Sequence, residues 1–251
     1  MDSKKASRVV TSATANRPPA LLLHDQITTA PPRRKDTNRV PFPILPATVG
    51  KRLFDLVGAS SLILLLLPVF VVLTVAIVLD SPGMPFFRHR RIGWKRQPFW
   101  MIKFRTMGRE AEGKREEIFS RAEDEGLDFK LKNDPRLTRL GGFLRRYSLD
   151  ELPQLFNVVL GDMSLVGPRP HSMANFDRPF EDESLKAVWY VERHQVRPGM
   201  TGLWQISGRN NLPATYRILL DLRYVREWTW AMDIAILLKT IKAVVKHDGA
   251  Y

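Results

Sequence analysis

The chain has 251 residues, 44% of them hydrophobic, which is enough for one sizeable domain with a packed core. It contains no cysteine, so disulfides, thiolate catalysis and cysteine-based zinc or iron–sulfur sites are excluded. The formal net charge of +13 indicates a polyanionic partner, which leaves nucleic acid, an anionic membrane surface and phosphate-bearing substrates open.

Residues 1–49 predict a disordered basic tail. They are rich in Ser, Thr, Pro, Lys and Arg, and the segments "APPRRK" and "PFPILP" interrupt any helical pattern. Such a tail either rests on anionic lipid headgroups or serves as a solvated linker. We expect no secretory signal, because the first hydrophobic block begins only after this tail.

Residues 50–82 contain a hydrophobic block and are predicted to be embedded in a membrane. Its uncharged run of roughly two dozen residues exceeds the 20 or so that one spanning helix needs. Pro68 near the middle favours a kink. Basic residues flank both ends: Arg33, Arg34, Lys35, Arg39, Lys51 and Arg52 before the block, and Arg88, Arg90, Arg91, Lys95 and Arg96 after it. Because basic residues prefer the cytoplasmic side, a helix-break-helix hairpin is favoured over a single span, which stays open.

Residues 83–251 predict a small domain of the α+β class, mostly helical. The segment "PFWMIKFRTM" suits a short strand and turn at the membrane face, and residues 108–133 suit a solvated helix. Helices joined by turns are expected over 134–166. The glycine-rich segment "VRPGMTGLWQISGRN" is interpreted as a loop. Residues 213–247 predict one or two amphipathic helices, which could lie in the membrane interface.

Carboxylates are the main candidates for catalysis, since the chain has no cysteine and only five histidines. Asp150 and Glu151 are adjacent and follow Arg145. One carboxylate can attack phosphorus, its neighbour can help to hold Mg²⁺, and an arginine can neutralise phosphoryl oxygens. The alternative is a capping box, in which Ser148 and Glu151 start a helix, and this fragment alone favours that interpretation. The two roles are compatible, because a helix N-terminus stabilises anions.

Three further segments carry weaker signals. Arg169 lies between two prolines in "VGPRP", where it is either held rigidly toward a phosphate or solvated on a stiff turn. Lys103 and Arg105 alternate with Phe104, so on a strand they would share one face and require an anion, which is either a phosphate or an anionic lipid. Asp162 in "GDMS" is interpreted as a turn or helix-end residue rather than a third carboxylate of the site.

Five segments occur in order along the chain from about Lys51 to the C-terminus. They are "KRLFD", "FRHRRIG", "KFRTM", "DPRLTRLGGFLRRYSLDELPQLFNVVLGDMSLVGPRP" and "RPGMTGLWQISGRN". Together they resemble the bacterial sugar transferase family, the monotopic phosphoglycosyl transferases that initiate exopolysaccharide, O-antigen and glycoprotein glycan assembly. The long fourth segment is the most specific of the five.

This resemblance implies an activity and a site. Members transfer a sugar-1-phosphate from a UDP-sugar to undecaprenyl phosphate and release UMP, through a covalent phosphosugar on an aspartate and with Mg²⁺ required. By similarity, Asp150 is the nucleophile and Glu151 its metal-associated partner. The residues implied to bind substrate are Lys103, Arg105, Arg145, Arg169 and Arg209. The membrane element of the family is re-entrant, with a break that is often Ser-Pro; here Leu67 precedes Pro68.

The resemblance also implies a location and partners. We expect the bacterial inner membrane, with the catalytic domain of residues 83–251 facing the cytoplasm, and an enzyme of the exopolysaccharide-initiating type. The expected partners are UDP-hexose (galactose or glucose), undecaprenyl phosphate and membrane lipids; homo-oligomerisation is left open. A membrane-tethered, non-catalytic regulator or adaptor of polysaccharide assembly remains the alternative function. Nucleic-acid binding is disfavoured by the hydrophobic block and by the lack of a recognisable reading motif.

Overall fold

The computed structural model describes residues 48–108, 111, 134–172, 183–208 and 212–246. The predicted tail therefore lies outside the described residues except for its last two. The same holds for Arg209 and for nearly all of the solvated helix predicted at 108–133.

The hydrophobic block forms one long helix, α1, from Thr48 to Asp80. Within the described residues it is the one helix long and apolar enough to cross a membrane, and most of its large side chains are exposed, Leu64 and Leu79 among them. This agrees with the predicted membrane association. The predicted interruption of the helix is not seen: helical structure continues through Pro68. Proline removes one backbone donor, and here the turns on either side of it stay helical.

A β-hairpin follows α1 and confirms the predicted short strand. β1 (Phe86–Ile92) pairs antiparallel with β2 (Pro98–Phe104), and a single 3₁₀ turn connects them. Along β2 the first four side chains alternate between exposed and buried, as expected for a half-buried strand. Asn157 binds this strand through both ends of its amide: it accepts from Ile102 N at 2.9 Å and donates to Trp100 O at 2.7 Å.

Two short helices and a 3₁₀ turn come next: α2 (Arg139–Arg146), the turn Leu149–Glu151, and α3 (Gln154–Leu160). Gly141 in α2 touches the backbone of Thr106, where any Cβ would collide with the Thr106 carbonyl. This contact brings α2 against the residues that follow β2.

The residue after the α3 C-cap, Asp162, accepts a hydrogen bond from Asn157 Nδ2 at 3.1 Å. This confirms its interpretation as a helix-end residue. The chain then enters β3 (Ser164–Val166), which pairs in parallel with β4 (Gly199–Thr201).

The segment "VRPGMTGLWQISGRN" is more regular than predicted. It contains β4 and a short helix, α5 (Leu203–Ile206), so its interpretation as a loop is wrong. The glycines favoured a loop, but Gly199 lies so close to the backbone of Gly167 that a side chain would not fit. Here glycine permits close approach of two chain segments.

The remaining helices are α4 (Glu183–Arg193), α6 (Ala214–Glu227) and α7 (Trp230–Lys246). Residues 213–247 thus hold two helices, within the predicted range. Trp189 of α4 packs in a fully buried cluster with Ile218 and Leu222 of α6. The α+β class with mostly helical content is confirmed.

Candidate active site

Asp150 and Glu151 lie on the 3₁₀ turn between α2 and α3, and both line one pocket. Ser148, just before this turn, has a left-handed backbone (φ 56°), and its side chain makes no capping hydrogen bond. The capping-box interpretation is therefore wrong. A left-handed backbone at a non-glycine residue costs energy, and such residues cluster at functional sites.

Two cations hold the Glu151 carboxylate. Lys103 Nζ lies 2.7 Å from Oε1, and Arg169 donates from Nη2 to Oε1 at 2.7 Å and from Nη1 to Oε2 at 3.2 Å. Burial raises the pKa of Glu151, but the charges of Arg169 and Lys103 outweigh it and hold that pKa well below the ordinary value. Glu151 is thus a carboxylate at neutral pH.

The other carboxylate, Asp150, is 7% exposed and 3.6 Å from Lys103 Nζ through its Oδ2. Arg145 lines the same pocket, where its Nε donates to Thr106 Oγ1 at 3.1 Å. Burial lowers the pKa of Arg145, and the charge of Asp150 partly opposes this. An arginine stays protonated in proteins, so the pocket combines three cations with two carboxylates. That balance suits a ligand carrying phosphate.

A buried arginine binds the backbone of the loop that carries Arg169. Arg193 of α4 donates through Nη2 to the backbone carbonyl of Arg169. Its guanidinium lies 3.5 Å from Asp221 and 4.2 Å from the centre of the Trp189 ring. The Arg169 side chain itself is 15% exposed and paired with Glu151. It is therefore held in the pocket rather than solvated on the turn.

The opposite wall of the pocket consists of residues that sequence reasoning missed. They come from β4, α5 and α7: Met200, Thr201, Trp204, Gln205, Ile206, Thr240, Ala243 and Val244. A signal existed for the first five, since their segment was singled out as a resemblance motif. The three on α7 recur at helical spacing, but nothing in their apolar and small side chains indicates a ligand.

The structure brings together Lys103, Arg145, Asp150, Glu151 and Arg169. Arg105 lies elsewhere: it donates to the carbonyls of Ser81 and Pro82 at the end of α1. Strand β2 ends at Phe104, so the alternation that would place Lys103 and Arg105 on one face does not continue.

Within the described residues, no group of three histidine, aspartate or glutamate side chains lies close enough together to hold a metal ion. The carboxylates that the pocket offers to a metal are those of Asp150 and Glu151. Mg²⁺ is commonly held by one or two carboxylates together with substrate phosphates, so the pair fits this ion. Both oxygens of Glu151 accept from Lys103 and Arg169, and a metal would have to compete with these cations.

A second charged cluster joins α1 to the rest of the domain. Lys51 Nζ lies 3.0 Å from Asp55 and 2.7 Å from Asp233 of α7. Asp55 accepts from Leu165 N of β3 at 3.1 Å, and Tyr224 Oη lies 2.9 Å from Asp233 Oδ1. Burial, together with the charge of Asp233, raises the pKa of Tyr224 well above its ordinary value. We call these five residues the junction cluster.

Arg52, beside the junction cluster, binds the end of α3. It donates through Nη2 to Val159 O at 2.7 Å and through Nη1 to Val158 O. The last carbonyls of a helix have no partner within the helix; Gly161 N donates to Val158 O, and Arg52 supplies a donor to Val159 O as well as a second one to Val158 O.

Comparison with known proteins identifies the family. The bacterial sugar transferase family matches residues 46–247. A UDP-galactose-lipid carrier transferase of Erwinia amylovora is 50% identical over 207 residues, which cover 80% of this chain and 41% of the relative. Exopolysaccharide production protein ExoY of Rhizobium meliloti is 42% identical over 211 residues, covering 81% of this chain and 88% of the relative.

A UDP-glucose:undecaprenyl-phosphate glucose-1-phosphate transferase of Caulobacter vibrioides is 38% identical over 218 residues, covering 84% of this chain and 75% of the relative. The chain thus spans most of ExoY but less than half of the Erwinia relative. The predicted resemblance is confirmed, and the chain belongs to the bacterial sugar transferase family.

Proposed function

We propose that the protein transfers hexose-1-phosphate from a UDP-hexose to undecaprenyl phosphate, giving undecaprenyl-diphosphate-hexose and UMP, as the first membrane step of exopolysaccharide synthesis. The observation that carries this proposal is the pocket in which Asp150 and Glu151 meet three cations. The names of the Erwinia and Caulobacter relatives, which specify a UDP-sugar donor and a lipid carrier or undecaprenyl phosphate acceptor, support it.

The proposed reaction has two displacement steps at one phosphorus. A carboxylate oxygen of Asp150 attacks the hexose-bearing phosphorus, and the bond from that phosphorus to the UMP oxygen breaks, so that UMP leaves with the electron pair. A phosphate oxygen of the acceptor then attacks the same phosphorus, the bond to Asp150 breaks, and the carboxylate is regenerated. Glu151 is less suited to attack, because cations at 2.7–3.2 Å engage both of its oxygens.

The cations have a distinct role in this scheme. Lys103, Arg145 and Arg169 would neutralise charge on the donor diphosphate and on the departing UMP. Mg²⁺ would be held by Glu151, with Asp150 and the donor phosphates nearby, and would supply further neutralisation of the diphosphate. The incoming diphosphate offers Lys103 and Arg169 a new anionic partner, which would free Glu151 oxygens for the metal.

We also infer that α1 enters the membrane and returns to the same side. Both ends of α1 contact the same domain: Lys51 pairs with Asp233 near the start of the helix, and Arg105 donates to the Ser81 carbonyl just after its end. A straight helix of 33 residues would be about 50 Å long, more than the roughly 30 Å of the hydrocarbon core, so a spanning α1 would place its two ends on opposite sides. A bend within α1, with Pro68 as the candidate position, would keep both ends on one side. The catalytic domain would then face the cytoplasm of a bacterial inner membrane, with α7 at the interface.

Intact-protein mass spectrometry tests the chemistry. Purified protein is incubated with Mg²⁺ and each of several UDP-hexoses, without acceptor. We expect a hexose-phosphate adduct with matching UMP release, and neither in Asp150→Asn. An equal adduct on Asp150→Asn would overturn the nucleophile assignment. Absence of UMP release with every donor, with and without undecaprenyl phosphate, would favour the non-catalytic regulator.

Cysteine labelling tests the topology, and the absence of native cysteines makes it direct. Leu45→Cys and Lys95→Cys are made separately and treated with a membrane-impermeant maleimide in intact spheroplasts. We expect neither to react until the membrane is opened. Labelling of one of the two from outside would indicate a spanning helix instead.

A further inference from the structure

Helix α7 presents different faces to the pocket and to the outside. Thr240, Ala243 and Val244 line the pocket. A separate set of large apolar side chains is exposed along the helix, and we call it the outer stripe: Trp230 (41%), Ile234 (50%), Leu238 (64%) and Ile241 (65%). Since each residue advances about 100° around a helix, these four fall within about 80° of one another; Ile241 lies about 60° around the helix from Val244, whereas Leu238 lies more than about 100° from every pocket residue of α7.

The outer stripe connects the membrane helix with the pocket. At its N-terminal end, Trp230 packs edge-on against Phe54 of α1 at 5.7 Å, and Asp233 is paired with Lys51. Toward its C-terminal end, Thr240 Oγ1 lies 2.7 Å from Thr201 Oγ1 in the pocket wall. From Trp230 to Val244 a helix extends about 21 Å. The stripe is therefore continuous from the apolar surface of α1 to the edge of the charged site.

The polarity of these two surfaces matches one kind of molecule. The pocket offers cations for a phosphate, and Leu238 and Ile241 lie exposed one turn or less from the pocket residues Thr240 and Val244. In a prenyl phosphate the hydrocarbon chain is bonded directly to the phosphate oxygen, so its apolar contacts must begin within a few ångströms of the phosphate site. A glycerophospholipid separates its phosphate from its acyl chains by a polar glycerol ester region.

We propose that the C-terminal half of the outer stripe, Leu238 and Ile241, binds the first isoprene units of the prenyl acceptor and directs its phosphate past Val244 toward Asp150. The proposal rests on the proposed function, because it takes its occupant from that reaction. The N-terminal half, Trp230 and Ile234, faces lipid and the start of α1 and does not contact the acceptor. One exposed apolar stripe thus has two functions that differ by distance from the pocket.

The donor step and the acceptor step can be measured separately, so failure of this proposal can be distinguished from failure of the proposed function. Full-length protein in nanodiscs is compared with Ile241→Ser, Leu238→Ser and the matched control Ile234→Ser, which alters the same stripe two turns farther from the pocket. UMP release without acceptor measures the donor step. The KM for undecaprenyl phosphate, and for a short-chain prenyl phosphate, measures acceptor binding.

We expect Ile241→Ser to raise the acceptor KM about tenfold, because the bound prenyl chain would bury much of the isoleucine side chain and serine would lose that contact. The increase in KM should be slightly smaller for Leu238→Ser. The donor step should stay within twofold in all three variants, and the penalty should persist with the short-chain acceptor. Equal effects of Ile234→Ser and Ile241→Ser would show a general lipid-facing surface and overturn the proposal, as would an unchanged acceptor KM. Failure of the proposed function is a different result: no UMP release by the unaltered protein.

Discussion

Two clusters of this molecule use the same residue types to different ends. Each contains one lysine between two carboxylates, and both lie at joints between helices and strands. In the junction cluster, Asp55 and Asp233 are 1% and 0% exposed, and a backbone NH and the Tyr224 hydroxyl complete their surroundings. In the pocket, the carboxylates of Asp150 and Glu151 face open space, with two arginines added to the lysine.

The difference lies in the net charge of each cluster and in whether the protein encloses it: the junction cluster has one more carboxylate than it has lysines. The junction cluster is closed, and its charges hold α1, β3, α6 and α7 together. The pocket has one more cation than it has carboxylates, which is the arrangement expected of a site that receives an anion. The charges of the junction cluster join elements of the fold, and those of the pocket are arranged to bind a ligand. Substitutions should therefore affect stability in one and activity in the other.

The largest expected effect is on activity. Asp150→Asn should lower turnover at least about 10³-fold, because the amide cannot form the covalent intermediate, while the midpoint of thermal unfolding should not fall. Sugar transfer and unfolding are measured on the same preparation. Asp162→Asn, at the end of α3 and outside the pocket lining, is the control and should remain active. A matching loss in Asp162→Asn would mean that the assay reports on folding.

The junction cluster should respond in the opposite way. Lys51→Met leaves Asp55 and Asp233 buried without the lysine they share and should lower the free energy of unfolding by about 3–5 kcal/mol. Chemical denaturation in detergent measures it. The paired change Lys51→Met with Asp233→Leu should cost less than Lys51→Met alone, since one buried carboxylate fewer is left without that cation. A greater cost for the pair would contradict the view that charge balance sets this stability.

The lowered pKa of Glu151 gives the pocket a pH dependence with a definite sign. A carboxyl whose pKa is lower in the folded state stabilises the fold fully above its unfolded pKa of about 4.3 and loses that contribution as the pH falls through the folded value. The stability difference between the unaltered protein and Glu151→Gln should thus be constant above about pH 5 and shrink in more acidic solution. A difference that shrinks between pH 5 and 7 would contradict the ion pairs with Lys103 and Arg169.

The smallest effect sets a reference for both clusters. Arg223 and Glu227 form an ion pair one helical turn apart on α6, with side chains 46% and 58% exposed. Arg223→Ala should change the free energy of unfolding by no more than about 0.5 kcal/mol and leave transfer activity unchanged. The same denaturation series measures it. A larger shift would mean that exposed charges matter more here than burial predicts.

Sequence reasoning predicted the pocket better than it predicted the junction cluster. Asp150, Glu151 and Arg169 were identified because phosphate chemistry restricts residue types and because family segments surround them. Local motif reasoning failed where backbone conformation decided: "SLDE" fits a capping box, but the left-handed backbone at Ser148 prevents that cap. Arg105 was grouped with Lys103 by strand alternation, which stops where β2 ends.

The junction cluster could not be predicted, because its partners are remote along the chain. Asp233 follows Lys51 by more than 180 positions, and an isolated aspartate near the start of an amphipathic helix suggests a solvated face. In the folded protein it is fully buried, with Lys51 of α1 and Tyr224 of α6 as partners. The pocket residues on α7 could not be predicted for the same reason, because small and apolar side chains such as Ala243 and Val244 acquire a role only from the residues they face.

Within one stretch of α1, Lys51, Arg52 and Asp55 reach three different elements: α7, α3 and β3. The hydrogen bonds of Arg52 and Asp55 join residues separated by 106–110 positions, and α7 is later still. During synthesis these three charged residues leave the ribosome long before any of their distant partners exists. Translation therefore completes α1 before α3, β3 and α7, so the three charged residues that join these elements are already made when their partners are synthesised.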